Sequence, residues 1–478
     1  MAKLLVTLLA VSRIGCTLAP RYERPALPVP DRFVGGGGAL AAADQGWRAM
    51  FGDPRLQALI ALALANNRDL RVTALHIEVA HAQYRIQRAG LFPTVDARAA
   101  WSRFGGSGPF TGPSAAASSS SSSSASSTAA AGSGSILPPT IYALGVSAAY
   151  ELDLFGRVRS LTAQAREQYL GTIEAHRAAH LSLVGQVVTQ YLAERSLAEQ
   201  YEIAVRTEAT TRRTYELTRL LFELGQRSAV DVHSTEAQWQ GARGELPRLT
   251  RQWTQAVNAL TVLVGQPLPA SLPPPRRLSA ERMIADLAPG LPSQVLLRRP
   301  DVVEAEHALR AANASIGAAR AALFPDISLT GFAGTLSTAV KQLFDTGFGA
   351  ISAMIAQPVF HGGANLANLD LADAQKRIQI ARYEQTIQIA FREVADALVA
   401  RETYERELAA QVAQVAAQQA RFELSIQRYR AGVASYLEVL SAQNDLYAAQ
   451  QRLIVLRADR LTNLADLYRA LGGGWREG

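Results

Sequence analysis

One cysteine, Cys16, in 478 residues excludes an internal disulfide framework. The chain has no Lys/Arg-rich block and no basic patch interleaved with aromatics. Its net charge of +7 is instead spread as arginines along helical stretches beside Glu and Gln, so nucleic acid is not an expected partner. There is no nucleophile elbow and no nucleotide loop, and the chain is not expected to be an enzyme. His176 and His180 stand i, i+4 in "HRAAH" but lack the glutamate of the zinc-protease pattern, so neither a metal nor a cofactor is expected. The run Gly35–Gly38 follows no strand and precedes no Lys-Ser/Thr, which makes it a linker and not a phosphate cradle. Two further absences concern architecture. No charged residue occurs between Phe104 and Tyr150, and neither Gly nor Pro occurs between Ala364 and Ala431.

What is present begins with "MAKLLVTLLAVSRIGC". Lys3, the apolar run Leu4–Val11 and Gly15 before Cys16 have the layout of an export signal over residues 1–15, too short to span a bilayer. A thiol at the first mature position is where bacterial lipoproteins carry acyl chains. Cys16 is therefore the candidate lipidation site, although Arg13 stands where that signal normally has an apolar residue. Residues 16–46 then form an arm and linker, with Pro20, Pro25, Pro28 and Pro30 favouring an extended chain. A hydrophobic content of 48% with 19% charged residues permits a large ordered core in the remainder of the chain.

The chain repeats itself. "AGLFPTVD" (89–96) and "AALFPDIS" (321–328) lie 232 residues apart, and Asn67-Arg68-Asp69-Leu70 falls on Arg299-Pro300-Asp301-Val302 at the same offset. "ELDLFG" (151–156) resembles "AQPVFHG" (356–362) at an offset of 205, and "FELGQRSAVDV" (222–232) matches "YRAGVASYLEV" (429–439) at 207. A Ser/Ala/Gly-rich insertion at 105–140 in the first half accounts for the change of offset. The expected plan is a duplication. The first repeat, 47–265, holds a helix, a β-hairpin at 95–155 and a helical hairpin at 157–264. A linker at 266–292 leads to the second repeat, 293–472, with its hairpins at 327–360 and 364–471, and 473–478 is a tail.

Four strands are expected, at 95–104, 144–155, 327–334 and 351–360, each about the ten residues that a tilted strand needs to cross a bilayer. Four strands cannot close a barrel, since the smallest need about eight. Either the hairpins pack on helices as an open sheet, or several copies pool them. The run Ala364–Ala431 permits one helix of roughly 100 Å, and Ile380, Tyr383, Ile387, Ala390, Val394, Ala397, Tyr404 and Leu408 follow heptad steps within it, with only Arg401 polar. Pro247 is expected to kink or break the first return helix, and Gly225 and Gly432 mark chain reversals.

The segments "GCTLAPRYERPALPVP", "WRAMFGDPRLQALIALALANNRDL", both LFP transitions, "ELDLFGR", "LLRRPDV" and the two turns occur in an order that resembles the TolC-like outer membrane factor family, in its lipoprotein efflux branch. The resemblance covers nearly the whole mature chain. It implies a mainly α protein with a transmembrane β-barrel: a homotrimer pooling four strands per subunit into one 12-stranded barrel, with long coiled-coil hairpins forming a periplasmic tunnel. It further implies an outer-membrane location in a Gram-negative bacterium, with a lipid anchor on Cys16. The implied work is that of the exit duct of a tripartite exporter, fed by an inner-membrane pump, proton-driven, through a periplasmic adaptor. By position, Leu437 and Glu438 would form the aperture, with Ser441 where many members carry a further acid. Asp231 and Tyr429 would latch neighbouring hairpins, and Gly225, Ser228, Gly432 and Ser435 would mark the adaptor-docking turns. Two other readings stay open: a channel for one-step protein secretion, and a secreted coiled-coil scaffold.

Overall fold

The computed structural model describes residues 17–31, 33, 46–103, 140–279, 284 and 293–473. Cys16, the glycine run at 35–38 and nearly all of the Ser-rich insertion lie outside the described residues. In chain order the elements are α1 (Trp47–Met50), α2 (Pro54–Asn66), α3 (Arg68–Ala89), β1 (Thr94–Arg103), β2 (Thr140–Glu151), α4 (Arg157–Glu223) and α5 (Ala229–Val264). A 3₁₀ turn, Ser293–Arg298, then opens the second repeat, followed by α6 (Pro300–Ala321), β3 (Asp326–Ser337), β4 (Gly347–Ala356), α7 (Ala364–Arg430) and α8 (Tyr436–Ala470). The order α–β–β–α–α thus appears twice. Among the described residues, no helix is long and apolar enough to cross a membrane.

The elements divide into two compact units. The first comprises residues 1–20, 85–162 and 314–372 and holds the sheet, an antiparallel meander in the order β1-β2-β3-β4. Its register puts Val95 opposite Ala148, Trp101 opposite Tyr142, Leu144 opposite Thr335, and Gly331 opposite Ile351. Strand alternation then sorts the side chains. One face carries Val95, Trp101, Leu144, Val146, Ile351 and Ile355, with Arg103 at its end as the sole charge; the other carries Asp96, Arg98, Glu151 and Asp326 with serines and threonines, and also Phe332, Leu336, Phe348 and Met354. The apolar face is exposed, with Val95 66%, Trp101 63% and Ile351 76% accessible. Neither β1 nor β4 has a second strand partner among the described residues, so the sheet has two open edges.

Two strands are shifted from their expected positions. β2 runs 140–151 and not 144–155, and β4 runs 347–356 and not 351–360. The reason lies in "DLFGR" and "PVFHGG". The Asp153 carboxylate accepts a hydrogen bond from the Arg159 amide at 2.8 Å and Gly156 turns at φ 78°, so this segment starts α4. In the second repeat Pro358 has no N–H for a ladder, and Gly362 and Gly363 both take positive φ. Phe155 and Phe324 stack at 4.7 Å, joining the end of β2 in the first repeat to the start of β3 in the second.

The second unit comprises residues 21–84, 163–313 and 373–478. Its core gathers Trp47, Met50, Phe51, Leu56, Tyr191, Tyr383, Ile387 and Tyr468, all at most 1% exposed. The middle of the expected seam on α7 is buried, with Tyr383, Ile387, Ala390 and Val394 at 0% and Ala397 at 6%, while Ile380, Tyr404 and Leu408 are half-buried. The duplication extends to single hydrogen bonds. Asn67 Nδ2 donates to the Leu263 carbonyl at the end of α5, 2.9 Å away; its counterpart Arg299 donates through Nη1 to the Ala470 carbonyl at the end of α8, 2.8 Å away. Each repeat therefore closes by satisfying an orphan carbonyl of its return helix.

Pro247 does not break α5, which is continuous over 36 residues. Contacts on both sides hold it. Arg248 pairs with Glu245 and donates to Gln252 Oε1 at 2.9 Å, Leu249 is fully buried, and Trp253 donates to Glu194 Oε1 at 2.7 Å. The arm 17–31 has no helix or strand. It is nevertheless tied down: Arg24 forks onto Glu306 at 2.8–3.1 Å and Tyr22 OH donates to Glu306 Oε1 at 3.1 Å, while just beyond it Phe33 stacks on Phe391 at 4.6 Å.

Candidate functional site at the helical turns

Both long helices of the second unit end in the same motif. After α4, Gly225 takes φ 73°, its amide donates to the Phe222 carbonyl, and the Gln226 amide donates to the Leu221 carbonyl, both at 2.8 Å. After α7, Gly432 takes φ 75°, and the Gly432 and Val433 amides donate to Tyr429 and Arg428 carbonyls at 3.1 Å. These are Schellman ends, which need a left-handed residue just past the helix. Serine then caps each return helix, Ser228 for α5 and Ser435 for α8.

The two turns diverge at the third helical position, Asp231 in the first and Glu438 in the second. Asp231 completes a capping box: its amide donates to Ser228 Oγ at 3.2 Å, and its Oδ2 accepts from the Ser228 amide at 3.3 Å and hydroxyl at 3.0 Å. Ser435 has no such partner, because Glu438 turns to Arg428 instead, with Arg428 Nη1 donating to Oε1 at 2.9 Å. The cause is one substitution between the repeats, since Leu221 stands in the first turn where Arg428 stands in the second.

Leu437 is 72% exposed on the outer side of its helix start, and its counterpart Val230 is 74% exposed. Ser441 is exposed and lies beside Arg421, whose Nη2 donates to Ser441 Oγ at 3.3 Å while Nη1 donates to Asp445 Oδ2 at 2.6 Å. Both carboxylates near the second turn are thus ion-paired within one subunit. Arg428 and Arg421 thus offset the negative charge of Glu438 and Asp445.

Asp231 and Tyr429 share a neighbourhood through Arg227, whose guanidinium lies 4.3 Å over the Tyr429 ring. Burial raises the Tyr429 phenol above its ordinary pKa; Arg227 opposes that rise and Asp231 adds to it. Tyr429 also meets the Tyr436 ring edge-on at 5.3 Å. Tyr436 is 5% exposed and its pKa is pushed up to about 12, chiefly by burial. Arg227, Arg428 and Tyr436 were not singled out from the sequence. The spacing of Tyr429 and Tyr436, two turns of helix interrupted by a glycine reversal, was the available signal. His176, by contrast, is occupied structurally: Nδ1 lies 2.8 Å from Thr73 Oγ1, and burial lowers its pKa.

Residues 59–266 and 291–473 match the family described as outer membrane efflux protein, in two segments that follow the two repeats. The chain belongs to the outer membrane efflux protein family. It is 45% identical over 488 residues to the probable efflux pump outer membrane protein TtgC of Pseudomonas putida, covering 100% of this chain and 97% of that one. It is 41% identical to outer membrane protein OprJ of Pseudomonas aeruginosa, over 98% of this chain and 95% of that one. Its fold matches the open-state crystal structure of the MtrE outer membrane channel of Neisseria gonorrhoeae with a TM-score of 0.83 at 37% identity, covering 97% and 99% of the two chains. The chain is accordingly an outer-membrane exit channel for efflux; TtgC is named as an efflux pump outer membrane protein and MtrE as an outer membrane channel.

Proposed function

We propose that three copies of this chain assemble into one duct, pooling their sheets into a 12-stranded barrel and their helical hairpins into a tunnel. Support comes from one observation above all: a four-stranded sheet with an exposed apolar face and two open edges. Such a sheet cannot seal a pore alone, and pairing edge to edge leaves no open edge. Alternation then puts the apolar face, whose one charge, Arg103, lies at its end, toward lipid and the face with Asp96 and Arg98 toward the lumen.

In this reading the helical turns lie at the periplasmic entrance. Leu437, Glu438 and Ser441 each recur three times around the aperture, and the turns at Gly225, Ser228, Gly432 and Ser435 receive a periplasmic adaptor. An inner-membrane pump, proton-driven, supplies the substrate, and a lipid on Cys16 adds a membrane anchor. Relatives carry names for antibiotic, toluene and cation efflux, a range of chemistries that suits a duct whose cargo is chosen elsewhere. Membrane fractionation and gel analysis test the assembly. Recovery in the outer membrane as trimers that resist heating in detergent is expected, with ion conductance in planar bilayers. A stable monomer free of lipid would refute it.

A further inference from the structure

The first helical hairpin carries one side-chain arrangement twice. Trp253 Nε1 donates to Glu194 Oε1 at 2.7 Å, and its ring packs on Tyr201 with centroids 6.0 Å apart. Two heptads nearer the turn, Trp239 Nε1 donates to Glu208 Oε1 at 2.8 Å and stacks on Tyr215 at 5.3 Å. In each rung an indole from α5 meets α4 with a carboxylate on its N–H and a phenol against its ring.

The second hairpin lacks this rung near its turn. At the offset of 207 that aligns the turns, Val415, Phe422 and Leu446 stand where Glu208, Tyr215 and Trp239 stand in the first. An aromatic ring remains, but the carboxylate and the indole are gone. A cleft of about 390 Å³ between α4, α7 and α8 lies at that place, and all three residues line it. Ile203, Leu453 and Ile454 continue its apolar lining away from the turn.

The charge in the cleft is unbalanced. Glu199 and Glu202 share it with Arg206, Arg277 and Arg457. Both carboxylates are engaged: Glu199 Oε1 accepts from the Leu278 amide at 2.7 Å, and Glu202 lies 3.3 Å from Arg277 and 3.9 Å from Arg206. Arg457 is half-buried and has no hydrogen-bond or ion-pair partner among the described residues. A guanidinium with its donors unused suits a carboxylate or sulfonate, which it can grip with two N–H groups. Along α8, Leu446 and Arg457 are about 16 Å apart at 1.5 Å per residue. A long side chain on a helix leans toward the preceding turn, which shortens the span from the ring to the cation.

We propose that this cleft binds an elongated aromatic anion, an aryl carboxylate or sulfonate. Its rings take the place of the missing indole against Phe422 and Leu446, and its acid group reaches Arg457. All the walls belong to one chain, so the site does not depend on the trimer. One wall comes from the first hairpin and two from the second, so a bound anion ties the two hairpins together.

Toluidinylnaphthalene sulfonate, an elongated aryl sulfonate that fluoresces when shielded from water, is a suitable probe. It is titrated into the purified full-length protein held in amphipathic polymer, with protein-free polymer as the blank. The uncharged N-phenylnaphthylamine is the neutral comparison. The parent is expected to bind the sulfonate saturably, one per chain. Leu446→Trp supplies the indole and is expected to abolish binding of both probes. Arg457→Gln is expected to weaken the sulfonate about tenfold, the worth of one charge-assisted contact, and to leave the neutral probe unchanged. No saturable binding to the parent, or undiminished binding in Leu446→Trp, overturns the site. Equal affinity of the sulfonate for parent and Arg457→Gln, or equal loss of both probes in that variant, overturns the role of Arg457. Should Leu446→Trp lose its helical circular dichroism, Arg457→Gln decides the proposal alone, because that side chain holds no other residue in place.

Discussion

Arg299 offers the sharpest energetic test of the duplicated fold. Its side chain is 6% exposed; it forks onto Asp301 at 2.7 and 3.0 Å, donates twice to Glu393 Oε2 at 3.0 Å, and caps the Ala470 carbonyl at 2.8 Å. Arg299→Met keeps most of the volume but strands two carboxylates and a helix-end carbonyl. Removing one partner of a buried ion pair costs about 3–5 kcal/mol. The Asp301 and Glu393 side chains are 37% and 26% exposed and regain some water, so the low end, about 3 kcal/mol, is expected. Denaturant midpoints followed by far-ultraviolet circular dichroism report it, with Arg299→Lys intermediate because an ammonium cannot fork. Arg299→Met combined with Glu393→Leu should recover part of the loss, because the unpaired charge is gone. A single variant within about 1 kcal/mol of the parent, or strictly additive losses in the pair, would refute the clamp.

Gly265→Ala should destabilise far more than Gly225→Ala or Gly432→Ala: all three take positive φ, but only at Gly265 would a Cβ run into the Asn66 carbonyl, while the turn glycines face open space. Left-handed strain alone is worth about 1–2 kcal/mol, and melting curves of the three variants should rank accordingly. Arg227→Ala, and Asp231→Ala combined with Tyr429→Phe, should each raise single-channel conductance by loosening the turn cluster; unchanged conductance in both argues against a latch. Glu306→Gln should expose the arm to trypsin at Arg21 and Arg24. Burial resists ionisation of Glu306, but its hydrogen bonds from Arg24 and Arg310 prevail and hold its pKa below 4.5. Its contribution is therefore present above that value and lost as pH falls below it, so acid should release the arm of the parent but not further loosen Glu306→Gln.

Much of this protein was legible in its residues because the signals are local. Period-two alternation, the absence of Gly and Pro over 364–431, and glycine followed by serine at each turn all act within a few residues, and the 207-residue match of the turns displays one solution twice. Strand ends were less legible, because whether "DLFGR" extends a ladder or starts a helix is decided by Asp153 capping the Arg159 amide. At the turns, sequence position singled out Asp231, Tyr429, Leu437 and Glu438 without revealing their company. Arg227 reaches Tyr429 only once the two hairpins are folded side by side, and Arg428 reaches Glu438 only across the reversal at Gly432.

The sequence by itself determined the repeated α–β–β–α–α plan, the lengths of the helices and the positions of their reversals, since these depend on backbone propensity and short-range periodicity. Only the tertiary structure decided that Asp231 stays with its cap while Glu438 goes to Arg428, and that Arg299 reaches the end of α8. Those outcomes depend on which groups lie within hydrogen-bond reach once the turns have closed and, for Arg299, once residues 171 apart in the chain have packed, and linear spacing carries no measure of that distance.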